Sequence, residues 1–380
     1  MTEQLTAVGA ARSGAGLQAA GSCQLRAVDP LVIEACGDKI ILSSPRLARR
    51  LSVGPAIAGI VLQGRDGIDP AGLPAAVLER LCEAGFLIDA RQQPDPLESP
   101  WREWGTTAWS FYRRMRDTHF VSKGTPEAMR EYVDRIATVP RPSSLRACAS
   151  DRILLLPRVR CGLDVPFRTV LEGRRTHRHF KDEPLALDRF SDLLHYTFAP
   201  LRFADAGELG TLQLRAAASG GARHETEAFV FVFNVTSVQP GLYHYDNIRH
   251  GLEPINENVS RADLEDITHR QGFFQNASFG VLTVAMAERM SWKYPHPIAY
   301  RMMLQNVGHV AQVFSMTAMA LGLGASLTGA VKESVAEPLL GINPPGELIT
   351  FALACGKPVV QPEDGLPYAI RLPRTAPDYY

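Results

Sequence analysis

Between residues 298 and 322 apolar side chains recur nearly all the way round a helical projection. Such a helix must be covered on most of its surface. A membrane is one possible cover. Residues 310–330, however, include Gln312, Ser315, Thr317 and three glycines, which argues against a membrane span and for a buried helix in a domain core or at a subunit interface. Material to cover it lies nearby in the sequence. A helix is expected at about 185–197, and strands at 228–235, 241–246, 279–286 and 347–354. The first two strands form a hairpin-like pair, so the expected class is α+β, with antiparallel pairing preferred to a doubly wound parallel sheet. This larger domain is placed at 151–380. The last two dozen residues carry five prolines and are expected to be an extended arm.

The front of the chain reads differently. The first 22 residues are rich in glycine, alanine and polar side chains and lack the apolar stretch of a signal peptide, and residues 1–28 read as a flexible tail. A small winged-helix-like domain is expected at 29–91. It opens with β-like segments 31–35 and 39–42 joined by Gly37-Asp38, continues through short helices at 45–51, 54–62 and 74–83, and closes with a strand at 86–88. Residues 92–150 form a linker and connecting helix. The linker, 92–100, holds three prolines, and 101–115, rich in aromatics and arginine, is taken as a helix packing on both neighbours.

Lys+Arg and Asp+Glu both number 40, so the chain lacks the cation excess of a nucleic-acid binder. The six cysteines have no C-x-x-C spacing and read as reduced core thiols of a cytoplasmic protein, while the ten histidines show no metal-ligand spacing.

Within this neutral composition, residues 174–181 (RRTHRHFK) concentrate three arginines and a lysine. Arg174, Arg175 and Arg178, with the hydroxyl of Thr176, suit forked hydrogen bonding of a phosphomonoester; the plainer alternative is a solvated charge run. Ser219, Gly220 and Gly221 precede a strong strand, where missing Cβ atoms would let the backbone approach a flat ligand, or simply make a turn. Lys293 and Tyr294 precede Pro295 and the long helix. On an extended stub at that helix's positive end, cationic surroundings would lower the phenol's pKa and make it accessible as a base. The plainer reading is an interfacial Trp-Lys-Tyr. After the helix, Leu327, Thr328 and Gly329 fall in a glycine-rich stretch that follows a helix, the reverse of the dinucleotide fingerprint.

Taken in order, these stretches resemble the nitroreductase-like flavoproteins, in particular the SagB/ThcOx-type dehydrogenases, which include azoline oxidases of ribosomal peptide natural products. The matching pieces are residues 174–180, 219–222, 241–246, 293–294 and 308–312. The resemblance implies a nitroreductase-like fold with a long central helix and a homodimer with FMN at its interface. Arg174, Arg175, Thr176 and Arg178 would hold the phosphate and ribityl chain. Ser219, Gly220 and Gly221 would lie along the flavin, with the backbone of Leu327, Thr328 and Gly329 near its reactive nitrogen. Lys293 and Tyr294 match the family's catalytic pair, and the front unit resembles a winged-helix-type peptide clamp. Ala218 replaces a common proline, and Asn306 stands where an acidic residue is common.

The leading expectation is an FMN-dependent dehydrogenase converting azoline to azole in a modified ribosomal peptide, with dioxygen reoxidising the flavin and other biosynthetic enzymes as candidate partners. Two other readings stay open: FMN-dependent oxidation of a small-molecule intermediate, and a non-catalytic peptide-binding partner.

Overall fold

A computed structural model describes residues 2–4, 24–47, 49–64, 67–68, 72–91, 101–116, 118, 125–146, 152–158, 162–207 and 210–359. The proline-rich segment 92–100, most of the expected tail and the arm beyond 359 lie outside the described residues. The chain divides into two compact units, residues 1–119 and 120–380.

The first unit contains β1 (Thr2–Gln4), β2 (Leu25–Ala27), β3 (Val32–Cys36), β4 (Lys39–Ser43), β5 (Arg50–Val53), α1 (Pro55–Gln63), α2 (Ala75–Glu83), β6 (Leu87–Asp89) and α3 (Trp101–Met115). The β3–β4 hairpin turns through Gly37, which has φ +62° and so needs no Cβ. The helix expected at 45–51 does not form. Its last two residues open strand β5, which pairs antiparallel with β4 and matches Leu42 with Leu51 and Ile40 with Val53. Leu42 and Leu51 are fully buried in a cluster with Val61 of α1 and Leu81 of α2. A seven-residue helix has little propagation to offset its nucleation, so the strand that buries these side chains prevails. Leu25–Ala27, inside the stretch read as a tail, is also a strand, paired with β6. Helix α3 is interrupted at Gly105, whose φ is +84°. Of the described cysteines, Cys36 and Cys82 are exposed rather than core thiols, and Cys355 alone is buried.

The second unit contains α4 (Pro126–Ala137), β7 (Leu154–Leu155), α5 (Phe167–Gly173), α6 (Leu187–Phe198), β8 (Arg202–Asp205), β9 (Thr211–Leu214), β10 (Thr226–Val232), β11 (Gly241–Asp246), β12 (Gly251–Asn256), α7 (Arg261–Ile267), β13 (Phe279–Met286), α8 (Ala287–Lys293), α9 (Ile298–Ala320), β14 (Gly324–Thr328), α10 (Glu333–Leu340) and β15 (Glu347–Gly356). Its main sheet runs β14-β15-β13-β10-β11-β12-β7, antiparallel throughout. The α+β expectation holds.

Strands β10 and β13 are buried along their whole length because helices cover both faces. Side chains alternate between faces with period two. Thus Ala228, Val230 and Val232 meet Phe190 of α6 and Phe314 of α9 on one side. Phe229 and Phe231 meet Leu264 of α7 and Leu340 of α10 on the other. The long helix α9 is therefore one layer of a three-layer core. Only part of it is covered: Tyr300 and Leu304 are 44% and 46% exposed, and next to α9 the short helix α5 shows Phe167 and Leu171 at 65% and 54%. No helix among the described residues is long and apolar enough to cross a membrane.

Candidate functional site

The arginine-rich segment leaves α5 and runs along the edge of the sheet. Thr176 bridges Ala325 of β14 in parallel, the N–H of His177 donates to the carbonyl of Ala325 at 2.9 Å, and Phe180 bridges Pro358. This pairing puts Arg174, Arg175, Thr176 and Arg178 alongside the strand that leads into Leu327, Thr328 and Gly329. Gly324 is required there, since a Cβ would lie 2.9 Å from the His177 side chain.

None of the three guanidinium groups pairs with a carboxylate among the described residues. Arg175 donates to the carbonyls of Glu172 and Arg174 at 2.7 and 2.9 Å, and Arg178 lies 5.4 Å from the Phe273 ring centroid. Burial and then the charges of Arg174 and Arg175 hold His177 below the ordinary imidazole pKa, a sign of the positive field. Thr176 and Arg178 are exposed, so this donor set is open to a ligand. Uncompensated forks of this kind fit a phosphate.

Ser219, Gly220 and Gly221 sit at the other end of α9. Gly220 and Gly221 begin a short 3-10 turn in which Gly221 has φ +63°. Asn306, buried on α9, accepts from the Gly220 N–H at 3.1 Å and donates to Glu225 at 2.9 Å. The hydroxyl of Ser219 donates to Glu225 at 3.3 Å and accepts from the His224 N–H at 3.0 Å. Burial raises the Glu225 carboxyl above its ordinary pKa, offset in part by Asn306 and Ser219. An acid at position 306 would face this buried carboxyl, whereas the amide bridges it. Ala218 keeps its carbonyl within 3.0 Å of His309 Nδ1, so the turn is held without a proline.

Lys293 and Tyr294 converge on this turn. Nζ of Lys293 donates to the Gly221 carbonyl at 3.4 Å. A Cβ on Gly221 would fall 2.6 Å from the Tyr294 hydroxyl and 2.7 Å from Lys293 Nζ. The extended stub expected from the sequence is absent: Lys293 ends helix α8, and Tyr294 caps it with φ −126° and ψ 79°. That cap turns both side chains to one side. The pair thus sits at the carbonyl end of α8 as well as before α9, and the phenol pKa moves the opposite way to expectation. Burial raises it, Tyr132 adds to the rise, and the Arg223 charge offsets only part.

Helix α8 is anchored one turn earlier by a buried ion network that the sequence reading missed. Arg289 meets Glu227 at 2.6 Å, and His244 lies 3.0 Å from both Glu227 and Glu253. Burial opposes ionisation of Glu227, yet Arg289 and His244 overcome it and hold its pKa at about 2. Burial likewise opposes charge on His244, and its two carboxylate partners raise it to about 9. Alternation in the strands TEAFVFV and GLYHYD could have signalled Glu227 and His244, since each polar side chain occupies a buried position.

The two clusters are apart within one chain. Gly220 is tied to Asn306, while a Cβ on Gly173, beside Arg174, would meet the end of Met319 at 2.4 Å. From 306 to 319 is 13 residues of helix α9, or about 20 Å at roughly 1.5 Å per residue.

Residues 171–357 match the nitroreductase family. The trifolitoxin-processing protein TfxB of Rhizobium leguminosarum bv. trifolii is 29% identical over 166 residues, 42% of this chain and 44% of that protein. A Methanocaldococcus jannaschii protein described as a nitroreductase is 28% identical over 180 residues, 47% of this chain and 86% of that one. Among solved structures, a Ralstonia eutropha protein described as a nitroreductase gives a TM-score of 0.46 at 24% identity, covering 59% of this chain and 96% of its own. Residues 171–357 thus form a nitroreductase-family domain with the nitroreductase-like fold, in a family whose members bind flavin.

Proposed function

We propose that this nitroreductase-family domain binds FMN and oxidises a modified peptide, converting an azoline to an azole. The observation that carries the reading is the convergence of Lys293 and Tyr294 on the Gly221 backbone, which puts an amine and a phenol together beside an open glycine turn. Arg174, Arg175, Thr176 and Arg178 would hold the phosphate and ribityl chain, and Ser219, Gly220 and Gly221 would border the ring, with Leu327, Thr328 and Gly329 along the strand from the arginines.

FMN, when bound, supplies the two-electron acceptor, and dioxygen restores it. The chain's own share is positioning and proton transfer. The substrate ring loses two hydrogens: the Cα proton passes to the Tyr294–Lys293 pair, and the neighbouring carbon gives up a hydride equivalent. Because burial favours the neutral phenol, Tyr294 acts as base only in its phenolate fraction, which the charge of Arg223 favours.

A homodimer supports this arrangement. In FMN, seven single bonds separate the phosphorus from the ring, roughly 9 Å at full extension, and the reactive nitrogen would lie about 3 Å farther across it. That reach falls short of the separation of the two clusters in one chain. The exposed apolar side chains of α9 and α5 offer a second copy a surface that would bring its Ser219–Gly221 turn to the arginines of the first. The trifolitoxin-processing role named for TfxB is consistent with a peptide substrate, and the first unit would serve as its clamp.

The test is anaerobic mixing of FMN-loaded protein with a cyclised azoline peptide. Bleaching of the visible flavin band with loss of two hydrogens from the peptide is expected. A persistent oxidised spectrum and unchanged peptide mass would overturn the assignment.

A further inference from the structure

Next to the Lys293–Tyr294 pair, α4, the segment 139–142 and α8 border an open cleft of about 610 Å³, lined by Arg135, Val139, Arg141, Glu288, Trp292 and Pro295 among others. Small-ligand and peptide side-chain sites typically occupy ~300–1,000 Å³. A smaller hollow of about 20 Å³ shares Arg141 with it and extends to Arg223. The walls include proline and tryptophan, and guanidinium groups outnumber the one carboxylate.

Arg135, Arg141 and Arg223 pair with no carboxylate among the described residues. Arg135 lies 5.5 Å from the Tyr132 ring centroid, Arg141 donates to the Thr211 carbonyl at 2.8 Å, and Arg223 stacks 5.2 Å from Trp292 while donating to the Gly221 carbonyl at 3.1 Å. The single acid in the lining is Glu288. Arg223 is only 7% exposed. Burial, and then the charge of Arg141, make its guanidinium harder to keep protonated, so the two cations disfavour one another. A buried cation without a counter-charge is costly, and an incoming anion removes that cost. The charge of Arg223 reaches Tyr294 of the reactive pair, and that of Arg135 reaches the neighbouring His296.

We propose that this cleft binds the carboxylates of an acidic stretch of peptide, next to the residue presented to Lys293 and Tyr294. The inference rests on the peptide-dehydrogenase reading for the chemistry, but the cleft's charge selectivity stands by itself. Forked guanidinium groups match carboxylates in pairs, and the proline and tryptophan walls accept an extended backbone.

The experiment uses the full chain loaded with FMN and two fluorescein-labelled peptides of equal length, one rich in Glu and Asp, the other with Gln and Asn in their place. Fluorescence anisotropy is expected to show the acidic peptide binding at least about tenfold tighter, the advantage shrinking as salt screens the charges. Arg135→Glu with Arg141→Glu should abolish the preference. The milder Arg135→Gln, at an exposed position, should weaken it without disturbing the fold. Equal affinity for the two peptides, an acidic preference that survives the double variant, or one undiminished in Arg135→Gln overturns the proposal. Placing an azoline in both peptides separates the two claims. Equal flavin reduction by both refutes the acidic cleft and leaves the dehydrogenase. Acid-selective binding with no flavin reduction by either upholds the cleft and refutes the dehydrogenase.

Discussion

Substituting Gly221 by alanine perturbs the proposed site at its tightest point. The residue has φ +63°, and its new Cβ would stand 2.6 Å from the Tyr294 hydroxyl, 2.7 Å from Lys293 Nζ and 2.9 Å from Lys293 Cδ. Ordinary contact begins near 3.4 Å, so the hydroxyl must retreat by 3.4 − 2.6 = 0.8 Å. The closest neighbours are the far ends of flexible side chains, so the clash is relieved by moving the reactive groups rather than by unfolding. The left-handed backbone adds about 1–2 kcal/mol of destabilisation. At roughly 2–4 °C per kcal/mol for a unit of this size, the melting temperature should fall by about 2–8 °C. A displacement approaching 1 Å at a proton-transfer pair costs on the order of a hundredfold in rate. Gly341→Ala is the matched control: φ is +62°, with nothing within 4 Å of the added Cβ. Both variants should show a similar loss in Tm by thermal unfolding. Only Gly221→Ala should lose about a hundredfold in the single-turnover rate of flavin reduction, measured by anaerobic stopped flow at saturating FMN. Equal rates in the two variants would refute a chemical role for the groups that converge on Gly221.

Further outcomes follow from the same geometry. Arg174→Ala and Arg178→Ala should each weaken FMN binding by about 10–100-fold in a fluorescence titration, the loss of one charge-assisted hydrogen bond; unchanged affinity in both would move the phosphate elsewhere. With a phenol pKa raised by burial, the rate of flavin reduction should climb about tenfold per pH unit with no plateau below pH ~10, and Tyr294→Phe should remove that slope. A slope retained in the phenylalanine variant would assign the base to another group. His244 has its pKa raised from 6.5 to about 9 in the folded chain, so its stabilisation is complete below pH 6.5 and is lost as pH rises through 9. Chemical denaturation should show stability declining across that window, with a shallower decline in His244→Gln.

The strands at 241–246 and 279–286 fall where hydrophobic patterning put them, because central strands covered on both faces leave continuous apolar runs bounded by turns. The long helix was legible for the same reason. The helix expected at 45–51 failed because Leu51 and Val53 are claimed by strand partners nine and thirteen residues away, which local periodicity does not register. Lys293 and Tyr294 were singled out by residue type, and the surroundings expected for them differ from those found. The short helix α8 and its cap decide where they point, and burial outweighs the nearby positive charges. Glu225 went unnoticed because its partners, Ser219 and Asn306, are joined to it only by the fold. The same holds for Arg135, Arg141 and Arg223, far apart in the sequence, which line two hollows that share Arg141.

The most direct test of the central claim, a flavin site shared between two copies of the chain, is subunit complementation. Arg174→Ala/Arg178→Ala chains and Lys293→Ala/Tyr294→Phe chains are each expected to be inactive alone. Unfolded together and refolded in equal amounts, half the dimers pair one chain of each kind, and half the sites in those dimers are intact. The account predicts recovery of about a quarter of the native rate of flavin reduction. If both clusters of one chain serve one flavin, the mixture stays as inactive as its components, and that result would contradict the account.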